Sequence, residues 1–172
     1  MSPDSFLLKY LEFFNERDLT MWKWIRSFFS PGDGAFEASK NKHILVVDDS
    51  ETERVFYART LERAGYEITA AESGPQALGL VRQRRPDLIL TDFYMPEMNG
   101  REMCRILKED PQAADIPVIF LTGSTKPADV IDCFDAGCEH FLEKPIDAKC
   151  LVRQVNTVLG DLEQERAAGI TL

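Results

Sequence analysis

The chain has 172 residues, 29 acidic against 20 basic, for a formal net charge of -9. That length holds one ordinary domain with room for an appendage, and the charge argues against a nucleic-acid-binding protein, which needs a basic footprint. Residues 1–42 carry six charges of each sign, so the whole excess, 23 acidic against 14 basic, lies in residues 43–172.

The first predicted element, residues 1–30, is an amphipathic, aromatic, α-helical arm. Nine of the 17 aromatics precede residue 40. In SPDSFLLKYLEFF, Ser2 can cap a helix with Pro3 in its first turn, and DLTMWKWIRSFF continues that helix or starts a second. Leu7, Phe14, Met21 and Phe28 recur every seven residues; Leu11 and Ile25 extend the stripe on one side, Trp22 joins its contact set, and Asp18 interrupts it. Such a stripe is too apolar to stay in water. Three readings stand side by side: docking on a partner protein or self-association as a helical pair, packing on the chain's own following domain, and an in-plane membrane-surface helix suggested by Trp22, Lys23, Trp24 and Arg26. Lys9, Glu12, Glu16 and Arg17 break the apolar run, against a secretory signal or a spanning helix. The Gly, Pro and polar content of the stretch ending at Lys42 then marks residues 31–42 as a linker.

Residues 43–160 alternate five strand-like and five helix-like segments, the pattern of an α/β domain with a parallel sheet. The apolar runs lie near Ile44–Val47, Glu67–Ala70, Leu88–Thr91, Val118–Leu121 and His140–Leu142. Amphipathic stretches begin near Thr52, Gly74, Gly100, Lys126 and Asp147, and Gly65, Pro86 and Pro117 punctuate the returns. Ile44–Val47 is apolar without alternation, as a strand covered on both faces should be. A short charged tail, residues 161–172, is helix-compatible and too small for an effector domain.

In this kind of fold, ligands sit beyond the carboxyl ends of the strands. The first run ends in Asp48 and Asp49, the third in Asp92, the fourth in Thr122 and the fifth in Lys144. Adjacent carboxylates at a buried strand end repel and resist desolvation, so they call for a cation. Three carboxylates, one divalent cation and Lys144 together are neutral. Mg2+ suits that set, because this hard ion takes oxygen ligands at about 2.0–2.1 Å and keeps waters that a phosphoryl oxygen can replace. A carboxylate beside it can attack phosphorus, with Thr122 and Lys144 each engaging a phosphoryl oxygen. Singly, each residue has a plainer role as a cap, a turn hydroxyl or a solvated charge; their joint placement at strand ends is what points to chemistry.

These residues resemble a known family. The Asp-Asp pair, D-x-x-M-P-x-M-N-G from Asp92, Thr-Gly after the fourth strand and Lys-Pro after the fifth make residues 43 to about 160 similar to a receiver domain of a two-component response regulator, of the single-domain chemotaxis type. The spacings, 30 residues from Asp92 to Thr122 and 22 more to Lys144, also suit it. The resemblance implies a doubly wound, flavodoxin-like, five-stranded parallel sheet of order 2-1-3-4-5 with helices on both faces. It implies Asp92 as phosphoacceptor, with Asp48, Asp49, Asp92 and the Tyr94 backbone carbonyl holding Mg2+. A histidine kinase or phosphotransfer protein would be the donor, and the Lys144–Pro145 peptide would be cis. Thr122 and Phe141 would be the switch pair, with output through the fourth helix, fifth strand and fifth helix, roughly residues 126–157. Tyr94 and Ser124 occupy the positions that influence how long the phosphoryl group persists. Phe141 departs from the common tyrosine, so a hydroxyl-mediated output contact is lost.

The chain would thus catalyse only its own phosphorylation and dephosphorylation, and signal by protein contact with no nucleic acid. A haloacid-dehalogenase-like phosphatase would want Asp-x-Asp after the first strand, which DDSET does not supply; a flavodoxin would want its phosphate loop there. Cys104, Cys133, Cys138 and Cys150 show no CxxC spacing and fit free thiols in a reducing cytoplasm. Cys138 and His140, with only His43 besides, do not make a zinc set.

Overall fold

The structure is a computed structural model that describes residues 41–124 and 132–167. Its strands are β1 (His43–Val47), β2 (Glu67–Ala71), β3 (Leu88–Asp92), β4 (Val118–Thr122) and β5 (His140–Glu143). Its helices are α1 (Glu51–Arg63), α2 (Gly74–Gln83), α3 (Gly100–Glu109), a helical segment α4 at residues 132–135, and α5 (Ala148–Ala167). All four strand pairings are parallel and the order is β2-β1-β3-β4-β5, as expected from the resemblance. The arm residues Leu7, Leu11, Phe14, Met21, Trp22, Ile25 and Phe28 lie outside the described residues.

Side chains alternate across a strand, and both faces of the central strands are filled. On one face, Ile44, Val46, Leu88, Leu90, Ile119, Leu121 and Leu142 join Tyr57 and Leu61 of α1 and Leu151, Val155 and Val158 of α5 in one buried cluster. Leu45, Val47, Ile89, Val118 and Phe120 have the opposite parity and are equally buried. This two-sided burial is why β1, β3 and β4 read as unbroken apolar runs. Edge strand β2, with only Ala71 buried, reads as the mixed sequence EITAA.

Local chemistry sets the helix starts. Ser50 caps α1, its hydroxyl accepting from the Glu53 amide at 3.4 Å. Asn99 opens α3 through a reciprocal capping box: its side chain accepts from the Glu102 amide at 2.8 Å, and the Glu102 carboxylate accepts from the Asn99 amide at 3.2 Å. Between β3 and α3 the chain folds back sharply, with Glu97 in the left-handed region at φ 63 and the Met98 amide donating to the Pro96 carbonyl at 2.7 Å. α5 runs on to Ala167, through the first residues of the charged tail.

Candidate functional site: an acidic cleft at the sheet edge

Parallel strands deliver their carboxyl ends to one edge. The register pairs Val47 with Thr91, Asp92 with Leu121 and Thr122 with Glu143, so Asp48, Asp92, Thr122 and Lys144 emerge at neighbouring strand ends. One carboxylate oxygen from each of Asp48, Asp49 and Asp92 lies within 4.8 Å of the others, the only such His, Cys, Asp or Glu group of three or more among the described residues. These are all hard oxygen donors, a set that fits Mg2+.

Asp48 is held on every side. Its Oδ1 accepts from the Ser50 amide at 2.8 Å, its Oδ2 accepts from Lys144 Nζ at 3.1 Å, and its carbonyl accepts from Arg54 Nη1 at 2.7 Å. Lys144 Nζ also lies 3.3 Å from Asp92 Oδ1, pairs with Glu53 Oε2, and sits 5.9 Å from the Tyr57 ring centroid. One ammonium therefore serves three carboxylates.

Electrostatics follow from this burial. Loss of water pushes the Asp48 carboxyl up to about 6, although Lys144 and the Ser50 amide pull the other way. Burial likewise raises Asp92, against the lowering effect of Lys144 and the amides of Tyr94 and Phe93. Burial pulls Lys144 down, but Glu53, Asp92 and Asp48 outweigh it and hold the ammonium above its ordinary range. A cleft that strains to ionise its carboxylates is primed for a cation.

The remaining sequence-marked residues surround this cluster. Thr122 is buried, and its hydroxyl accepts from the Ser124 amide at 3.1 Å. A Cβ at Gly123 would meet nothing within 4 Å. The Tyr94 side chain is 53% exposed and packs edge-on to Phe93, with centroids 4.8 Å apart. Phe141 is buried in register with Phe120 and packs edge-on against Phe134 at 6.0 Å. The Lys144–Pro145 peptide is cis. Cys104, Cys133 and Cys138 are buried, Cys150 is half-buried, and all are free thiols.

Sequence reasoning passed over Glu53, Arg54 and Tyr57, which α1 brings against Lys144 and Asp48. The helical spacing of Glu53 and Tyr57 puts both on one face, a signal available beforehand, but nothing local says that Lys144 lies opposite. It also passed over why Gly100 is glycine: a Cβ there would fall 2.3 Å from the Asp92 carbonyl oxygen.

The domain that carries this cleft has known relatives. Residues 44–156 match the family model described as response regulator receiver domain. The polar-differentiation response regulator DivK of Brucella anthropi is 35% identical over 120 residues, 70% of this chain and 98% of that protein. Among solved structures, the chemotaxis protein CheY4 of Vibrio cholerae is similar with a TM-score of 0.66 and 32% identity, over 68% of this chain and 98% of that one. The signal receiver domain of a signal transduction histidine kinase from Syntrophus aciditrophicus has a TM-score of 0.66 and 36% identity, over 70% of this chain and 92% of that one.

Proposed function

The chain belongs to the response regulator receiver family of two-component signalling, and from that premise we propose that it is a phosphorylation-dependent switch whose phosphoacceptor is Asp92. Receiver domains are signalling proteins, not classical enzymes, and characteristically interact with histidine kinases or phosphotransfer proteins. The observation that carries the reading is the convergence of Asp48, Asp49, Asp92 and Lys144 from distant parts of the chain on one cleft.

In this reading a carboxylate oxygen of Asp92 attacks the phosphorus of a phosphohistidine on the donor protein; the P–N bond breaks and its electron pair returns to the imidazole. Asp48, Asp49, Asp92 and the Tyr94 carbonyl would hold Mg2+, which supplies neutralisation of the anionic phosphoryl oxygens. Lys144 pairs with one of those oxygens. Thr122 donates its hydroxyl to another, giving up its present donation to the Ser124 carbonyl, and Phe141, already buried, repacks toward the space the threonine vacates. Side chains at Tyr94 and Ser124, bordering the cleft, tune how fast water removes the phosphoryl group.

The changed face of the fourth helix, β5 and α5, roughly residues 126–157, of which 126–131 lie outside the described residues, is then read by a partner protein in the cytoplasm. The amphipathic arm, residues 1–30, serves docking or self-association. Among the described residues no helix is long and apolar enough to cross a membrane; lipid-surface binding by the arm is the alternative, and sedimentation with vesicles separates it from protein association.

The direct test is Mg2+-dependent labelling of the full chain by acetyl phosphate. Asp92→Asn abolishes labelling if the assignment is right. An unchanged signal in that variant overturns it.

A further inference from the structure

Three carboxylates reach the Lys144 ammonium, and only two stand at strand ends. Asp48 and Asp92 lie 3.1 and 3.3 Å from Nζ, while the third partner, Glu53, comes from the first turn of α1 and lies outside the clustered carboxylates. Its side chain is 42% exposed against 14% for Lys144, so this pair spans the rim of the cleft. The turn that carries it is pinned: Ser50 caps the Glu53 amide, and neighbouring Arg54 donates to the Asp48 carbonyl at 2.7 Å. One helical turn on, buried Tyr57 places its ring beneath the same ammonium.

We propose that Glu53 is a positioning residue that holds the Lys144 ammonium at the α1 rim and thereby sets how readily an anionic phosphoryl donor engages the cleft. This rests on the reading of Asp92 as phosphoacceptor. Glu53 and the phosphoryl oxygens compete for one ammonium, and the glutamate charge also repels the incoming anion. It contributes nothing that metal binding by the aspartates requires, so it acts as a brake that can be removed.

The test compares the full wild-type chain with Glu53→Gln and with Glu51→Gln, an exposed glutamate of the same turn that carries the same charge change. Initial labelling rates are measured against acetyl phosphate concentration in Mg2+. Glu53→Gln lowers the half-saturating concentration roughly three- to tenfold at low salt, and the difference shrinks in 0.5 M salt, roughly, as screening removes it. Glu51→Gln shifts it far less. A second readout needs neither metal nor donor: Glu53→Gln lowers the urea midpoint of the metal-free chain, and does not lower it in a Lys144→Met background. Equal urea shifts in the two backgrounds, or a Glu53→Gln half-saturation matching Glu51→Gln, overturn the proposal. If Asp92→Asn is labelled as well as wild type, the underlying reading fails instead; if labelling depends on Asp92 and Glu53→Gln changes nothing, only the role of Glu53 falls.

Discussion

Gly100 lies so close to Asp92 that a Cβ built on it would stand 2.3 Å from the Asp92 carbonyl oxygen and 3.0 Å from the Phe120 ring. The first turn of α3 is thereby clamped against the end of β3, with the Gly100 amide donating to the Phe93 carbonyl at 3.0 Å. Backbone on one side and a buried ring on the other leave nothing flexible to yield.

Gly100→Ala therefore destabilises by about 1–3 kcal/mol, the usual cost of overpacking a rigid site, visible as a lower urea midpoint. Because the displaced group is the backbone of Asp92 itself, the variant also labels more slowly with acetyl phosphate. A midpoint equal to wild type would show that α3 can move away at no cost.

The capping box beside it is separable. Asn99→Ala removes the side-chain acceptor of the Glu102 amide and costs about 1 kcal/mol, again read by urea unfolding. Asn99→Ser or Asn99→Asp, which keep a capping oxygen, recover most of that loss.

Asp48 makes stability, and Mg2+ affinity of the proposed site, depend on pH. Its folded value of about 6 is above its ordinary 3.8, so its contribution to stability is fully present below about pH 4 and is lost as pH rises through 6. His140, whose ring burial holds below its usual value, acts in the opposite sense, and Asp92, raised by burial, acts in the same sense as Asp48, so the wild-type slope is a sum of all three. The difference between Asp48→Asn and wild type removes the His140 contribution and reports Asp48 together with its coupling to Asp92: in metal-free buffer the variant gains stability relative to wild type as pH rises through about 6. In the proposed site Mg2+ displaces the Asp48 proton and any proton on Asp92, so its affinity for the wild-type chain, measured by calorimetry, falls by about tenfold per unit or more below pH 6.

Lys144 is the resident cation of the cleft. Lys144→Met leaves Asp48 and Asp92 facing each other without it and destabilises the metal-free chain by roughly 2–3 kcal/mol. In the proposed site Mg2+ neutralises the same carboxylates, so it binds more tightly to the variant and raises the variant's urea midpoint more than that of wild type. Equal Mg2+ stabilisation of both chains would show that lysine and metal do not share these oxygens.

Local physics made much of this protein legible from its residues. Unbroken apolar runs mark strands buried on both faces, and a polar residue at the end of such a run stands out because it sits where burial should continue. That is how Asp48, Asp92, Thr122 and Lys144 could be named, and parallel alternation with helices then put them on one edge. The helix starts at Gly74 and Gly100 and the β2-β1-β3-β4-β5 order follow from the same pattern and the family resemblance.

What the residue order alone does not contain is which side chains meet across the fold. Glu53 and Lys144 are 91 positions apart, and Asp48 and Lys144 are 96 apart; glutamate in a first helical turn is already satisfied by the helix dipole and gives no local sign of a distant partner. The requirement for glycine at position 100 is equally nonlocal, since it comes from the carbonyl of Asp92 and the ring of Phe120 arriving at the same point. Strand ends and caps are decided within a few residues by burial and hydrogen bonding; the sharing of one ammonium among three carboxylates is decided only when the sheet closes, because only packing brings α1 and β5 to the same rim.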